Sequence, residues 1–170
     1  YRLQGAVAQD GQLTGWKNLL DAASADGKKA NYGASYRPFD FPGKVIKNVL
    51  IEQSFVPSQT PTGAWRAPIS NVYAFAEQSF IAELAHAAGQ DHETFLLNAI
   101  GHQGHIKEDD PASLNTKRAH AVITAATRAA GWGRELKEGR GLGLAFFLSH
   151  AGHIAEVAEV SVEGKSITVH

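Results

Sequence analysis

The stretch TGAWRAPISNVYAFAEQSFIAELAHAAG, Thr62–Gly89, decides how the chain is organised, because a helical pattern begins inside it. From Ser70 onward, apolar residues recur at the 3.6-residue spacing of a helix that buries one face. Ser70 is predicted to be the N-cap of this helix, and Gly89 is predicted to end it. The buried face is predicted to contain Val72, Phe75, Ala76, Phe80 and Leu84, with Glu77 and Glu83 among the polar positions.

The chain ahead of this helix has the patterns of strands. RLQGAVAQDGQLTGW (2–16) predicts a β-hairpin, because Asp10-Gly11 suits the positive φ angles of a tight turn. The polar stretch ASADGKKANYGAS (23–35) predicts a loop. YRPFDFPGKVIKNVLIEQSFVP (36–57) then carries an alternating apolar run that favours extended structure.

Two more helices and three strands are predicted after the first helix. The helices run from Asp91 to about Ile100, ended by Gly101, and from about Leu114 to Ala130, ended by Gly131. The strands are GLGLAFFLSH (141–150), HIAEVAEVSV (153–162) and KSITVH (165–170), with a turn at Glu163-Gly164. Strands, then helices, then strands indicate an α+β fold without the alternation of a doubly wound sheet.

Composition excludes several classes of function. The 170 residues suit one domain or a piece of a larger one. A net charge of -1 with scattered basic residues argues against a nucleic-acid partner. No apolar run approaches the roughly 20 residues that span a bilayer. The absence of cysteine excludes disulfides, iron–sulfur ligation and cysteine-type zinc sites in this chain.

The two ends of the sequence predict an internal segment of a longer protein. The chain begins at Tyr1 and contains no methionine, and a predicted strand runs directly into His170. We therefore expect residues 1–170 to form a single excised fragment. The compartment stays open between bacterial cytoplasm and periplasm.

A histidine-rich loop is a weak candidate metal site. Gly101, Gly104 and Pro111 make this stretch a loop, and H-x-x-H places both imidazoles on one face only in a helix. The alternative is a solvated polar loop, so no metal ligand is assigned. The candidate ligands are His102, His105, Asp109 and Asp110.

Two histidines flank Gly152 in SHAGH, between two apolar strands. His150 and His153 are candidates for proton transfer in a substrate pocket, or they are ordinary hydrogen-bonding residues at a strand bend. Ser149 has a histidine beside it but lies outside any G-x-S-x-G motif, which argues against a serine hydrolase of that type. No catalytic residue is assigned.

Two further patterns resemble functional motifs: the glycines of GRGLG (139–143) and the glutamates of AEVAEVSV (155–162). The glycines of GRGLG precede a predicted strand instead of opening a helix, which argues against a dinucleotide-binding loop. Glu156 and Glu159 are three apart on a strand, so they point to opposite faces and cannot act as a carboxylate pair.

Arg66 has the most distinctive setting. Trp65 precedes it, and Pro61 and Pro68 bracket it. Its guanidinium would share an anion with the free N–H groups at the start of the Ser70 helix. The alternative is a structural pair in which the arginine stacks on the tryptophan.

The sequence resembles the molybdopterin-binding large subunit of the xanthine dehydrogenase and aldehyde oxidase family, of the isoquinoline 1-oxidoreductase β-subunit type. The resemblance lies in WRAPISNVYAFAEQSFIAELAHAAGQD, AVITAATRAAGWG, GRGLGLAF and HIAEVAEVSVEGK, and covers most of the chain from about Thr62. AVAQDGQLTGWKNLL near the start also resembles this branch. The longest of these blocks is the most specific, whereas GRGLGLAF alone is weak.

The resemblance implies a portion of a larger molybdenum-binding domain. Such subunits carry a molybdenum–pterin dinucleotide and hydroxylate N-heterocycles or aldehydes with oxygen from water. Trp65 and Arg66 match the family's aromatic–arginine segment, which implies a cofactor contact. Ala67, Pro68 and Ile69 match positions beside the metal pocket. The implied partners are the rest of the large subunit, a small iron–sulfur subunit and a small N-heterocycle or aldehyde.

The chain departs from the family in two respects. The family usually has Asp where Ala82 stands, and DPLEFR where this chain has DHETFL (91–96), both predicted to lie on helix surfaces. The Gly-Glu motif with the family's catalytic glutamate is absent, so the isolated chain is expected to bind no molybdenum and to show no turnover. The alternative is a non-catalytic α+β binding or scaffolding module that keeps the fold without the active site.

Overall fold

The computed structural model describes residues 1–36, 41–63, 65–67 and 70–170, and within them the chain forms three helices and two three-stranded sheets. This confirms the predicted α+β class. The strands are β1 (Arg2–Val7), β2 (Leu13–Ser24), β3 (Asn48–Pro57), β4 (Arg140–Ser149), β5 (Gly152–Glu163) and β6 (Ser166–Val169). The helices are α1 (Ser70–Ala87), α2 (His92–Ile100) and α3 (Thr116–Ala130).

The first sheet has the order β1-β2-β3. β1 and β2 form the predicted antiparallel hairpin, and Gly11 in its turn has φ 81°. β3 pairs with β2 in parallel, a direction that the extended pattern of its sequence did not reveal. Gly5 in β1 permits a close approach of α1, because a Cβ there would lie 2.7 Å from a methyl group of Leu84.

The second sheet has the order β4-β5-β6, and both of its pairings are antiparallel. Ser149 pairs with Gly152, so only His150 and Ala151 connect β4 to β5. The predicted turn at Glu163-Gly164 connects β5 to β6, and Gly164 has φ 58°. The three predicted C-terminal strands are therefore confirmed.

The helix ends follow the sequence closely. Asp91 caps α2 by accepting a hydrogen bond from the backbone N–H of Thr94 at 2.9 Å. Gly89 and Gly131 have φ 64° in the left-handed region, where glycine carries no Cβ penalty. At the C-terminal end of α1, the N–H of Gln90 donates a hydrogen bond to the carbonyl of Ala85 at 3.0 Å, as in a Schellman motif.

A single apolar core joins both sheets to the helices. Trp16 brings the first sheet into this core, where its ring lies edge-on to Phe80 with centroids 5.2 Å apart. Phe146 brings in the second sheet. Among the fully buried members are Ile81, Phe95, Leu96, Ile100, Leu114 and Ile123. This core holds α1 between the two sheets.

The predicted buried face of α1 is wrong at its N-terminal half. Val72 and Phe75 are 54% and 78% exposed, whereas Glu77, one of the predicted polar positions, is 1% exposed. α1 packs between β1 and β4, and a helix held from two sides buries positions that one apolar stripe does not identify. The buried residues of α1 are Tyr73, Glu77, Gln78, Ile81, Leu84 and Ala85.

Two smaller predictions also need correction. Ser70 is the first helical residue and not the N-cap, and its hydroxyl contacts Ser149 instead of the helix backbone. Phe95 and Leu96, within the segment that departs from the family pattern, are buried in the core and not on a helix surface. Within the described ranges, no helix combines the length and apolar character that crossing a membrane requires.

Candidate functional site

The tryptophan–arginine turn lies on the surface, directly ahead of α1. Trp65 is 79% exposed and Arg66 is exposed as well. Ala67 has φ 50°, a left-handed conformation that is uncommon for a residue with a side chain. Its carbonyl accepts a hydrogen bond from the N–H of Asn71 at 3.2 Å, which connects the turn to the helix. Pro68 and Ile69 lie outside the described residues.

A cavity of about 450 Å³ opens beside this turn, between α1 and the strands β4 and β5. Its polar groups are mostly neutral side chains, and its one acidic group among the described lining residues is Glu156. The α1 side is formed by Ser70, Asn71, Ala74 and Gln78, next to Ala67. The strand side is formed by Ala145, Phe146, Phe147, Ser149, His150, Ile154 and Glu156.

Gln78 of α1 is buried where this helix packs against β4. It is 6% exposed, and its Oε1 accepts a hydrogen bond from the backbone N–H of Phe146 at 3.0 Å. Because a backbone N–H can only donate, this contact assigns the amide oxygen and leaves Nε2 as the other terminal atom. In the described part of the chain Nε2 has no hydrogen-bond acceptor, so it remains a donor at the cavity.

Three polar side chains form a continuous hydrogen-bonded chain at the cavity wall. The Oγ atoms of Ser70 and Ser149 are 2.8 Å apart. Ser149 Oγ is also 2.8 Å from Nδ1 of His150. His150 and Ala151 both have positive φ, 51° and 63°, so the β4–β5 turn requires left-handed backbone at two residues with side chains.

A second cavity of about 440 Å³ continues along the same groove. It shares Ala74, Gln78 and Ala145 with the first cavity, so α1 and β4 contribute to the walls of both. Gly143 of the GRGLG motif lies here, in β4, which confirms that these glycines enter a strand. The remaining lining residues are Phe75, Ser79, Ala82, His92, Leu142 and Leu144.

The two glutamates of β5 are separated, as predicted. Glu156 lines the first cavity, whereas Glu159 forms ion pairs with Arg134 and Arg140 on the other face of the strand. The hydrogen bond from Arg140 holds the pKa of Glu159 below its usual value, and the charge of Arg134 adds to this effect. Glu159 thereby connects the segment after α3 to β4 and β5.

The structure separates the two histidines of SHAGH. His150 lines the cavity, whereas His153 is 9% exposed, and its Nε2 accepts a hydrogen bond from the backbone N–H of Asn115 at 2.9 Å. Burial lowers the pKa of His153, and the positive charge of Arg118 lowers it further. His153 is therefore a neutral structural acceptor at the start of α3.

The histidine-rich loop does not bring its candidate ligands together. The ring of His102 lies against His120, with centroids 4.1 Å apart, and His105 Nδ1 is 3.5 Å from Ser113 Oγ. Asp109 and Asp110 both lie 3.9 Å from the ammonium group of Lys107. Within the residues that the structure describes, no group of three or more histidine, aspartate or glutamate side chains could hold a metal ion.

Sequence reasoning missed a buried polar group under α1. The Tyr1 hydroxyl donates to Oε1 of Glu77 at 3.1 Å and accepts from Nδ2 of Asn18 at 2.8 Å. Burial raises the pKa of Tyr1 far above its usual value, and the negative charge of Glu77 raises it further. Gln78 was missed for the same reason: a polar residue in a helical pattern gives no signal of burial when its partner is distant in sequence.

Comparison with known proteins identifies no family. No family model matches this sequence, and no curated protein is significantly similar to it.

Proposed function

We propose that this chain is part of the large subunit of a molybdenum hydroxylase of the xanthine dehydrogenase and aldehyde oxidase type. The whole enzyme would hydroxylate an N-heterocycle or an aldehyde with oxygen from water. One observation carries the proposal: the Trp65-Arg66 turn, which resembles the family's cofactor-contacting segment, is exposed, and the adjacent Ala67 lines the cavity between α1, β4 and β5. The long α1 helix would then serve as rigid support for the turn.

The residues of the turn fit a phosphate-bearing pterin cofactor. Arg66 is exposed, and among the described residues no carboxylate pairs with its guanidinium. A guanidinium is a suitable bidentate donor for phosphate. Ser70 and Asn71 add neutral hydrogen-bonding groups at the adjacent cavity. Trp65, Arg66 and Ala67 are therefore the residues that would hold the cofactor from this chain.

The chain's own contribution would be binding and support. When bound, the molybdenum–pterin group supplies the two-electron oxidation chemistry of the enzyme class. Arg66 would neutralise negative charge on the cofactor, while Gln78 keeps the groove walls in register through its bond to Phe146. The catalytic glutamate and most of the cofactor shell would come from the rest of the large subunit, and the electrons would pass to the small iron–sulfur subunit.

Molybdenum analysis of the whole gene product tests the proposal. The complete reading frame that encodes this chain is expressed in cells that make the cofactor, and the protein is purified with its co-eluting polypeptides. We expect near-stoichiometric molybdenum in the wild type. Arg66→Ala should lower cofactor affinity roughly 10- to 100-fold, because a hydrogen bond to a charged group contributes about 1.5–3 kcal/mol. Molybdenum content after dilution and gel filtration reports the loss.

Arg128→Ala is the matched control, because Arg128 is an exposed arginine at the end of α3, in a different part of the chain from the turn. Its molybdenum content should equal that of the wild type. A wild-type protein that contains no molybdenum after expression in cofactor-producing cells would contradict the proposal. Zinc in its place would direct attention to the His102 loop.

A binding or scaffolding module without an active site is the second candidate. It is favoured by large apolar side chains on the surface, since Val72 and Phe75 of α1 are 54% and 78% exposed and Ile167 and Val169 of β6 are both 70% exposed. The same experiment separates the two candidates: a protein that contains neither molybdenum nor zinc, yet co-purifies with a stoichiometric partner, has the properties of such a module.

A further inference from the structure

We propose that Ser70 is a nucleophile that accepts acyl groups from carboxylic esters, with Ser149 and His150 as its proton relay. This inference goes beyond the proposed oxidoreductase function and does not depend on a cofactor. It rests on the three-residue hydrogen-bonded chain and on the cavity that these three residues line.

The relay has the connectivity that an activated serine requires. Ser70 Oγ and Ser149 Oγ are 2.8 Å apart, and Ser149 Oγ is 2.8 Å from Nδ1 of His150. With Nδ1 unprotonated, it accepts from Ser149, and Ser149 in turn accepts from Ser70. A hydroxyl nucleophile is activated when a base within hydrogen-bond reach takes its proton, here through one intermediate hydroxyl.

The cavity offers space and chemistry for an ester. Its volume of about 450 Å³ is in the range that accommodates small organic ligands. Ala74, Phe146 and Ile154 provide apolar contacts for an acyl chain. Gln78, whose Oε1 accepts a hydrogen bond from the Phe146 N–H, lines the same cavity.

The backbone around the relay is held in unfavourable conformations. Ala67, His150 and Ala151 have φ values of 50°, 51° and 63°, although each carries a side chain. Left-handed backbone at such residues is unfavourable and is concentrated at functional sites. His150 therefore belongs both to the left-handed turn and to the relay.

The proposed reaction is balanced without a further reactant except water. Ser70 Oγ attacks the ester carbonyl carbon, and its proton passes through Ser149 to His150. The carbon–oxygen bond to the alcohol breaks, and His150 returns the proton to the leaving alkoxide through the same relay. Water then hydrolyses the acyl-serine, releasing the carboxylic acid and restoring the Ser70 hydroxyl.

Covalent labelling of the 170-residue chain, prepared without molybdenum, tests this inference. The purified chain is treated with a fluorophosphonate probe, and the modified residue is located by peptide mass spectrometry. Hydrolysis of p-nitrophenyl butyrate is measured in parallel. We expect one adduct, on Ser70, and no adduct in Ser70→Ala. Loss of the base in His150→Asn should slow both reactions roughly 100-fold. Asparagine tolerates the left-handed backbone at this position, so the turn is kept.

The chain contains a matched control in a second serine–histidine pair. Ser161 Oγ is 2.8 Å from Nε2 of His170, but this pair lies outside both described cavities. Ser161→Ala and His170→Asn should label and hydrolyse at the wild-type rate. Far-ultraviolet circular dichroism verifies the fold of every variant. Labelling of folded wild-type protein at residues other than Ser70, or equal rates in wild type and His150→Asn, would overturn the inference.

Because the assays use the chain without its cofactor, their outcome is independent of the molybdenum measurement. A chain that labels at Ser70 while the whole gene product contains no molybdenum keeps this inference and removes the oxidoreductase proposal. A gene product that contains molybdenum while the chain fails to label removes this inference and keeps the oxidoreductase proposal.

Discussion

Oε1 of Gln78 in α1 accepts a hydrogen bond from the backbone N–H of Phe146 in β4, over 3.0 Å and 68 positions of sequence. Both groups are buried. Backbone N–H groups removed from water need an acceptor, so this bond determines how the helix and the strand face one another. Gln78 lines both cavities, and Phe146 lines the first of them.

Replacing Gln78 by alanine should destabilise the fold. The substitution removes the only described side-chain acceptor for the Phe146 N–H and leaves that donor buried, which costs about 1–3 kcal/mol. Urea denaturation, followed by circular dichroism, measures the free energy of unfolding. Glu83→Ala, at an exposed position of the same helix, should change it by less than about 0.5 kcal/mol. Equal effects of the two substitutions would show that the bond contributes no stability.

The buried face of α1 can be tested by a pair of substitutions six residues apart. Ile81 is 0% exposed, so Ile81→Ala should lower the free energy of unfolding by about 2–5 kcal/mol. Phe75 is 78% exposed, and Phe75→Ala in the purified chain should change it by less than about 0.5 kcal/mol. Both values come from urea unfolding. A large effect at Phe75 and a small effect at Ile81 would restore the face that the apolar pattern predicted.

The stability of the fold should decrease as pH falls below about 6.5. Burial lowers the pKa of His153 in the folded state, while the unfolded chain has the ordinary histidine value of about 6.5. Below that pH the unfolded state binds more protons, so the free energy of unfolding decreases until the folded-state pKa is passed. His92 and His120 have lowered pKa values for the same first cause, burial, and act in the same direction.

His153→Gln separates this contribution from the others. A glutamine oxygen can accept the hydrogen bond from Asn115 but does not titrate, so the slope of unfolding free energy against pH should be smaller between pH 6.5 and 5. The measurement is a series of urea titrations over this range. An unchanged slope would mean that His153 does not contribute to the pH dependence. The remaining slope should come from the other two histidines and, toward pH 5, from Glu159, whose pKa is also lowered.

Local features of the fold were predictable from the sequence because they depend on neighbouring residues. Asp91 is a side-chain cap for the helix that follows it, and Gly131 adopts the left-handed conformation that ends α3. The first hairpin turns at Gln9, Asp10 and Gly11, and of the predicted pair only Gly11 has positive φ. In each of these cases the backbone preference of one or two residues is sufficient, and distant parts of the chain do not change it.

The candidate site was predictable only in part. Exposure of Trp65 and Arg66 agrees with an anion-binding role, but their assignment to a cofactor comes from the resemblance and stays a prediction. The alternative of a stacked structural pair likewise stays a prediction. The cavities between α1 and β4 could not be predicted, because no local sequence pattern shows that this helix packs on this strand.

By itself, the sequence determined the α+β class of this protein, the glycines that end its helices and the turn at Glu163-Gly164, whereas the N-cap that it predicted at Ser70 was wrong. The tertiary structure alone decided that Glu77 is buried beneath Tyr1, that β3 runs parallel to β2 and that Ser70 meets Ser149, 79 residues away. Backbone preferences act over a few residues and are written into local sequence. Burial and polar pairing depend on which surfaces pack together. Both sheets pack against α1, so only the folded chain decides which face of the helix each sheet covers.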